Sequence, residues 1–274
     1  FQPLVEPLPL AELPKLEQIA IGDRRDLSEE QLAARLRAVR NLRPETNLIA
    51  FFGPDQGAAF DLLAEIPNLQ RLHVIAELPP MGGKTGRKIT LSQLKNVREL
   101  SLLGTFTDAS LTELAPLEQL EMLQLYQEKP FAKLDLACLE NKSRLRRFIT
   151  GGIEPTDEGF ARIGKLPALE QLMTNFTSAT DAGMSELAKL GNLKTLMLDS
   201  SQEPSRVTPE GMLAIGKLTK LVNLTLGGKF GSGNAAGEGT VDDRLIASWS
   251  PQLKQLKMLN LFNCRLTDAG LSEL

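Results

Sequence analysis

Thr107–Leu125 reads TDASLTELAPLEQLEMLQL, with apolar residues at Leu111, Leu114, Leu117, Leu120, Leu123 and Leu125. Counted from Thr107, these are offsets of 4, 7, 10, 13, 16 and 18. The same offsets from Thr180 give Met184, Leu187, Leu190, Leu193, Leu196 and Leu198. From Thr208 they give Met212, Ile215, Leu218, Leu221, Leu224 and Leu226. From Thr156 they give Phe160, Ile163, Leu166, Leu169 and Leu172, with Thr174 closing the set. Agreement at so many places is an internal repeat.

The spacing changes character within each unit. Offsets 4, 7 and 10 recur every three residues, as on one face of a short helix or 3₁₀ turn. Offsets 16 and 18 alternate, as in a strand with one buried face. Each unit is therefore read as a helical piece, a turn and a short strand. Thr156, Thr180, Thr208 and Thr267 stand where an N-cap hydroxyl is wanted. Pro209, and Asp157, Asp181 and Asp268, suit the first helical position, the aspartates favouring the positive end of the helix dipole.

Weaker copies extend the array. The last inward strand residue recurs at Ile21, Ala50, Val74, Leu102, Leu125, Thr150, Thr174, Leu198, Leu226 and Leu261, with steps of 29, 24, 28, 23, 25, 24, 24, 28 and 35. The basic step of about 24 falls within the range of roughly 20–29 residues for leucine-rich repeats. Leu256–Leu266, LKMLNLFNCRL, fits the signature L-x-x-L-x-L-x-x-N/C-x-L at every fixed place. The recurring starts TDEGFARI, TDAGMSEL and TDAGLSEL resemble the cysteine-containing and bacterial branches of that family. The resemblance implies a right-handed α/β solenoid, with a curved parallel sheet on the concave face and short helices on the convex face. One departure stands out. The N/C position holds Glu128, Ile153, Thr177, Ser201 and Lys229 in other units, so those turns are expected to be irregular. With no internal linker, residues 1–274 are read as one domain of about nine to ten repeats. Both ends fall within a repeat, so further repeats or another domain of the same chain are expected beside them.

Composition narrows the function. Aromatics are only 5%, so aliphatic residues must fill the core. A net charge of -3 argues against a nucleic-acid partner, which calls for a basic footprint. No run approaches the ~18 apolar residues of a membrane span, so no membrane partner is expected. Cys138 and Cys264 make neither a disulfide framework nor a zinc cluster, and no metal or cofactor is expected. The compartment is open, with a lean toward the cytoplasm.

Several local motifs lose to plainer readings. Gly83-Lys84-Thr85 lacks the earlier glycine of a phosphate loop. Gly231–Ala236 lacks the strand–helix–strand context of a dinucleotide site. His73 is the only histidine, and nothing in sequence places a nucleophile beside it. The arginines at 35, 37, 40 and 43 and at 144, 146 and 147 are read as solvated charge. No catalytic residue is assigned.

The residues flanking the inward strand positions point out of the sheet. They include Met122, Gln124 and Tyr126, then Ile149, then Met173 and Asn175, Met197 and Asp199, and Met258, Asn260 and Phe262. A solvated strand face favours charge or threonine, whereas methionines here suggest a surface that adapts to a partner. The extra residues follow strand ends, placing residues 199–207 and 227–240, and the stretch from Ile75 to Gly83, on one rim. The expected function is protein–protein recognition through Met122, Gln124, Tyr126, Ile149, Met173, Asn175, Met197, Asp199, Asn260 and Phe262. The alternatives are the substrate-recognition or regulatory region of a larger enzyme, of ubiquitin-ligase type, and a structural repeat of a surface protein. On the helical side, Glu113 and Lys189 are expected to tolerate charge reversal.

Overall fold

The computed structural model describes residues 13–22, 27–52, 56–76, 91–127, 131–200, 205–228, 241–262 and 266–273. Its contacts divide the chain into two units, Phe1–Glu128 and Lys129–Leu274.

In the first unit, β1 (Gln18–Ile21), β2 (Asn47–Phe52), β3 (Arg71–Ala76), β4 (Glu99–Gly104) and β5 (Met122–Gln127) form a parallel sheet in chain order. The connections carry α1 (Glu29–Ala38), α2 (Gly57–Asp61), α3 (Asp108–Leu111) and short 3₁₀ turns. Ser28 starts α1 with a capping box, its hydroxyl accepting from Gln31 N–H while Ser28 N–H donates to the Gln31 side chain. Arg43 is a structural residue rather than solvated charge. Its guanidinium donates to the carbonyls of Pro14 and Leu16 and so ties down the approach to β1.

In the second unit, β7 (Arg147–Gly151), β9 (Gln171–Asn175), β10 (Thr195–Ser200), β11 (Asn223–Gly228) and β12 (Met258–Leu261) are likewise paired in parallel and in chain order. Its helices are α4 (Asp157–Ile163), α5 (Asp181–Leu187), α6 (Pro209–Met212), α7 (Asp243–Trp249) and α8 (Asp268–Leu271). A separate parallel pair joins β6 (Ala132–Leu134) to β8 (Ile153–Pro155). It was not expected. Ile153 occupies the place where a turn-binding asparagine or cysteine is missing, and main-chain bonds such as Ala132 N–H to Gly152 C=O replace the side-chain ladder there.

The repeat register is the one the periodicity dictates. Ile21 pairs with Ala50, Ala50 with Val74, Val74 with Leu102, and Leu102 with Leu125. In the second unit Thr174 pairs with Leu198, Leu198 with Leu226, and Leu226 with Leu261. Where threonine replaces leucine, the hydroxyls of Thr150 and Thr174 bond each other at 2.8 Å, which satisfies both inside the core. The offset-10 position of the unit ending at Thr150 holds Lys142, which is nonetheless buried.

The T-D-x-G start has a physical cause that helix-dipole reasoning missed. Asp157 stands at the first position of α4, yet its carboxylate caps the next helix. Its Oδ1 accepts from Thr180 N–H at 2.8 Å and Gly183 N–H at 3.0 Å, and its Oδ2 from the Thr180 hydroxyl at 2.7 Å. Asp181 accepts likewise from Thr208 N–H and hydroxyl, and Asp243 from Thr267 N–H and hydroxyl. Each aspartate thus satisfies orphan donors at the following helix start. Glycine is required three residues after the threonine because a Cβ at Gly183 would stand 2.5 Å from Asp157 Oδ1. The clash is the same at Gly211 with Asp181 and at Gly270 with Asp243. The bonds from Thr267, the hydroxyl first, hold the Asp243 carboxyl below its ordinary value.

Two start positions differ from expectation. Thr208 makes no side-chain cap bond to its own helix, its hydroxyl being engaged by Asp181 and Glu210. At α7 an aspartate takes the place of the threonine: Asp242 caps the helix, its carboxylate accepting from Leu245 N–H.

Candidate recognition face

Alternation along each strand defines two faces. In β5, Leu123 and Leu125 are fully buried while Met122, Gln124 and Tyr126 are half-buried on the opposite, open face. In β10 the same division sets Leu196 and Leu198 against Met197 and Asp199. Because the strands are parallel and in register, the outward residues align in rows running across each sheet.

In the second unit one such row is Ile149–Met173–Met197–Thr225–Asn260. Ile149, Met173 and Met197 are half-buried, so the apolar side chains shelter one another, and Asn260 is exposed. A neighbouring row brings Asn175, Asp199 and Gly227 into line. Asn175 is only 9% exposed. Phe262, just past β12, is 57% exposed, and its ring lies close to where a Cβ on Gly227 would be. Met258 is also exposed, at the start of β12.

In the first unit the most apolar row had been only partly recognised. Phe51, Ile75, Leu103 and Tyr126 are register neighbours on β2, β3, β4 and β5, all half-buried on the open face. Ile75 had been assigned to a loop, but β3 continues through Ala76, because pairing with Phe51 and Phe52 prolongs the strand beyond its inward residues. The adjacent row begins with Ile49 on β2 and is polar over β3 to β5: His73, Ser101 and Gln124. Burial holds the His73 imidazole below its ordinary value, which favours the neutral ring as a hydrogen-bonding group at neutral pH. The Ser101 hydroxyl is buried without a hydrogen-bond partner.

Charges near these faces are paired. Arg71 faces Glu99 at 3.6 Å and donates to the Glu45 carbonyl, and Arg98 meets Glu121 at 2.6 Å. In the second unit Glu170 bonds Lys194 at 2.8 Å and lies 3.6 Å from Arg146. Lys194 chiefly, and then Arg146, hold the Glu170 carboxyl below its ordinary value. The expected basic cluster at 144–147 is thereby partly neutralised. On the helical side Lys189 is exposed, but Glu113 is only 9% exposed and does not behave as a solvated residue.

Most of the rim falls outside the described residues, including 77–90, 201–204 and 229–240, and with them Gly83-Lys84-Thr85, Gly231–Ala236 and Cys264. At the edge of one insertion, Ser205 and Val207 are buried, with Val207 N–H bonded to the Ser205 hydroxyl. Cys138 is a buried thiol. Among the described residues no group of three or more His, Cys, Asp or Glu could hold a metal, and no helix is long and apolar enough to cross a membrane.

Short helices, in-register parallel strands and leucine layers define a leucine-rich repeat fold, an α/β solenoid, and solved structures agree. An internalin of Listeria monocytogenes matches with a TM-score of 0.51 and 16% identity, over 96% of this chain and 86% of that one. The receptor TLR13, solved with the RNA ssRNA13, matches with a TM-score of 0.58 and 15% identity, over 97% of this chain and 36% of that one. No protein-family model and no curated protein matches the sequence.

Proposed function

We propose that this chain is a non-catalytic recognition module that takes a protein partner on the open strand faces. The observation that carries the reading is the apolar character of outward rows where solvent would favour charge: Ile149–Met173–Met197 in one unit, Phe51–Ile75–Leu103–Tyr126 in the other. Methionine supplies adaptable contact, and Tyr126 and Phe262 supply the aromatic anchors that tend to dominate interface energy. Gln124, Asn175, Asp199 and Asn260 stand among them as polar contacts. TLR13 was solved with RNA. Here the cations beside the first unit's face, Arg71 and Arg98, are already engaged by carboxylates, which favours a protein over a polyanion.

Site-specific photo-cross-linking tests this. A benzophenone side chain replacing Tyr126 or Met173 is expected to give a discrete protein adduct in extract from the source organism. The same group at Glu118, in the turn that precedes β5, or at Lys189, just after α5, should give none. Adducts from the helical positions alone would place the interface elsewhere.

A further inference from the structure

The first unit's open face carries two parallel rows of different chemistry, and their combination specifies a kind of partner. The apolar row is Phe51, Ile75, Leu103 and Tyr126 on β2 to β5, and beside it run Ile49 on β2 and the polar residues His73, Ser101 and Gln124 on β3 to β5. We infer that this face binds an uncharged, extended peptide segment laid across the strands, its alternate apolar side chains on the first row and its main-chain amides on the second. The inference rests on the open-face reading above and names the partner's chemistry.

Three observations support it. The Ser101 hydroxyl is 3% exposed and has no hydrogen-bond partner. A buried polar group left unmade is costly, and such exceptions call for a reason. An occupant's N–H or C=O would complete it once neighbouring side chains turn aside. Second, the occupant must have main-chain groups to give. An α-helix bonds its own backbone internally, whereas an extended chain presents free donors and acceptors along its length. Third, the dimensions agree. Adjacent strands lie ~4.8 Å apart, so four in-register residues span ~14 Å, close to the ~13.6 Å covered by side chains i, i+2 and i+4 of an extended peptide. Charge complementarity then selects a neutral segment. Arg71 and Arg98 are matched by Glu99 and Glu121, so these pairs offer a charged occupant no net charge to complement.

A random heptapeptide library displayed on phage, panned against the full chain, tests the inference. Hits would be remade with blocked ends and measured by calorimetry. The expected hits are uncharged, with apolar residues at alternate positions. Leu103→Asp should weaken them at least tenfold. Ser101→Ala should weaken them roughly three- to tenfold, the worth of one hydrogen bond, while leaving the melting temperature unchanged or slightly raised. Methylating alternate amide nitrogens of a hit should cost tenfold or more on one set of amides. No hits, hits with apolar residues spaced by three or four, or hits indifferent to N-methylation would overturn the extended-peptide inference. If Leu103→Asp and Tyr126→Ala still abolish capture of the natural partner, the open-face reading survives that failure. If both variants capture it as wild type does, the first unit's part in that reading falls as well.

Discussion

Leu196→Ala is expected to cost about 2–5 kcal/mol of stability, whereas Thr195→Ala beside it should cost under about 0.5 kcal/mol. Leu196 is fully buried and sits in register between Leu172 and Leu224, which are also fully buried. Its methyl groups are packed by the repeat before and the repeat after. Neither neighbour can collapse into the space left behind without disturbing its own layer, so the cavity term adds to the lost transfer energy. Thr195 points the other way and is half-buried on the open face. Urea melts of the two variants measure the contrast. Equal losses would mean that the strand faces are exchanged.

Asp157→Ala is expected to cost roughly 2–4 kcal/mol, more than an ordinary helix-cap loss, because hydrogen bonds to a charged group are worth about 1.5–3 kcal/mol each and several go at once. The Thr180 N–H, the Thr180 hydroxyl and the Gly183 N–H would all lose their acceptor. Asp157→Asn should recover part of the loss, since its amide oxygen still accepts the two N–H bonds. Gly183→Ala approaches the same junction from the other side. Its Cβ would press on Asp157 Oδ1 and lie 3.2 Å from Asp157 Cα, so about 1–3 kcal/mol of overpacking is expected. Gly191→Ala is the control: a Cβ there meets nothing within 4 Å, and the change should stay within about 0.5 kcal/mol. Thermal melts of the four variants check the series. A mild Asp157→Ala would show that the T-D-x-G start does not join one repeat to the next.

The sequence was informative wherever a property is periodic. Which strand residues face inward follows from alternation alone, and pairing them across repeats from Ile21 to Leu125 and from Thr150 to Leu261 needed only the repeat step. Properties set between repeats were harder to read. The length of β3 depends on whether its neighbour offers backbone partners, so periodicity alone places Ile75 outside the strand and does not reveal the row it completes. The aspartate after each threonine had a sound local explanation at the helix dipole. Its actual bonds go 23–27 residues ahead, which helix-level reasoning does not reach. The recurring glycine carries that information, because a residue without a Cβ that returns at the same place beside an acid points to a close approach. Glu113 shows the converse: a charged residue at a nominally outer helical position is buried by its surroundings.

Docking on the open strand faces is tested most directly by the dissociation constant of the cross-linked partner, measured against face and helix-side variants. Tyr126→Ala in the first unit and Met173→Asp in the second should each weaken binding, and together by tenfold or more, about 1.4 kcal/mol, with melting temperatures nearly unchanged. Glu118→Lys and Lys189→Glu should leave the constant as it is. Loss of binding in the two helix-side variants, with wild-type affinity in Tyr126→Ala and Met173→Asp, would contradict it.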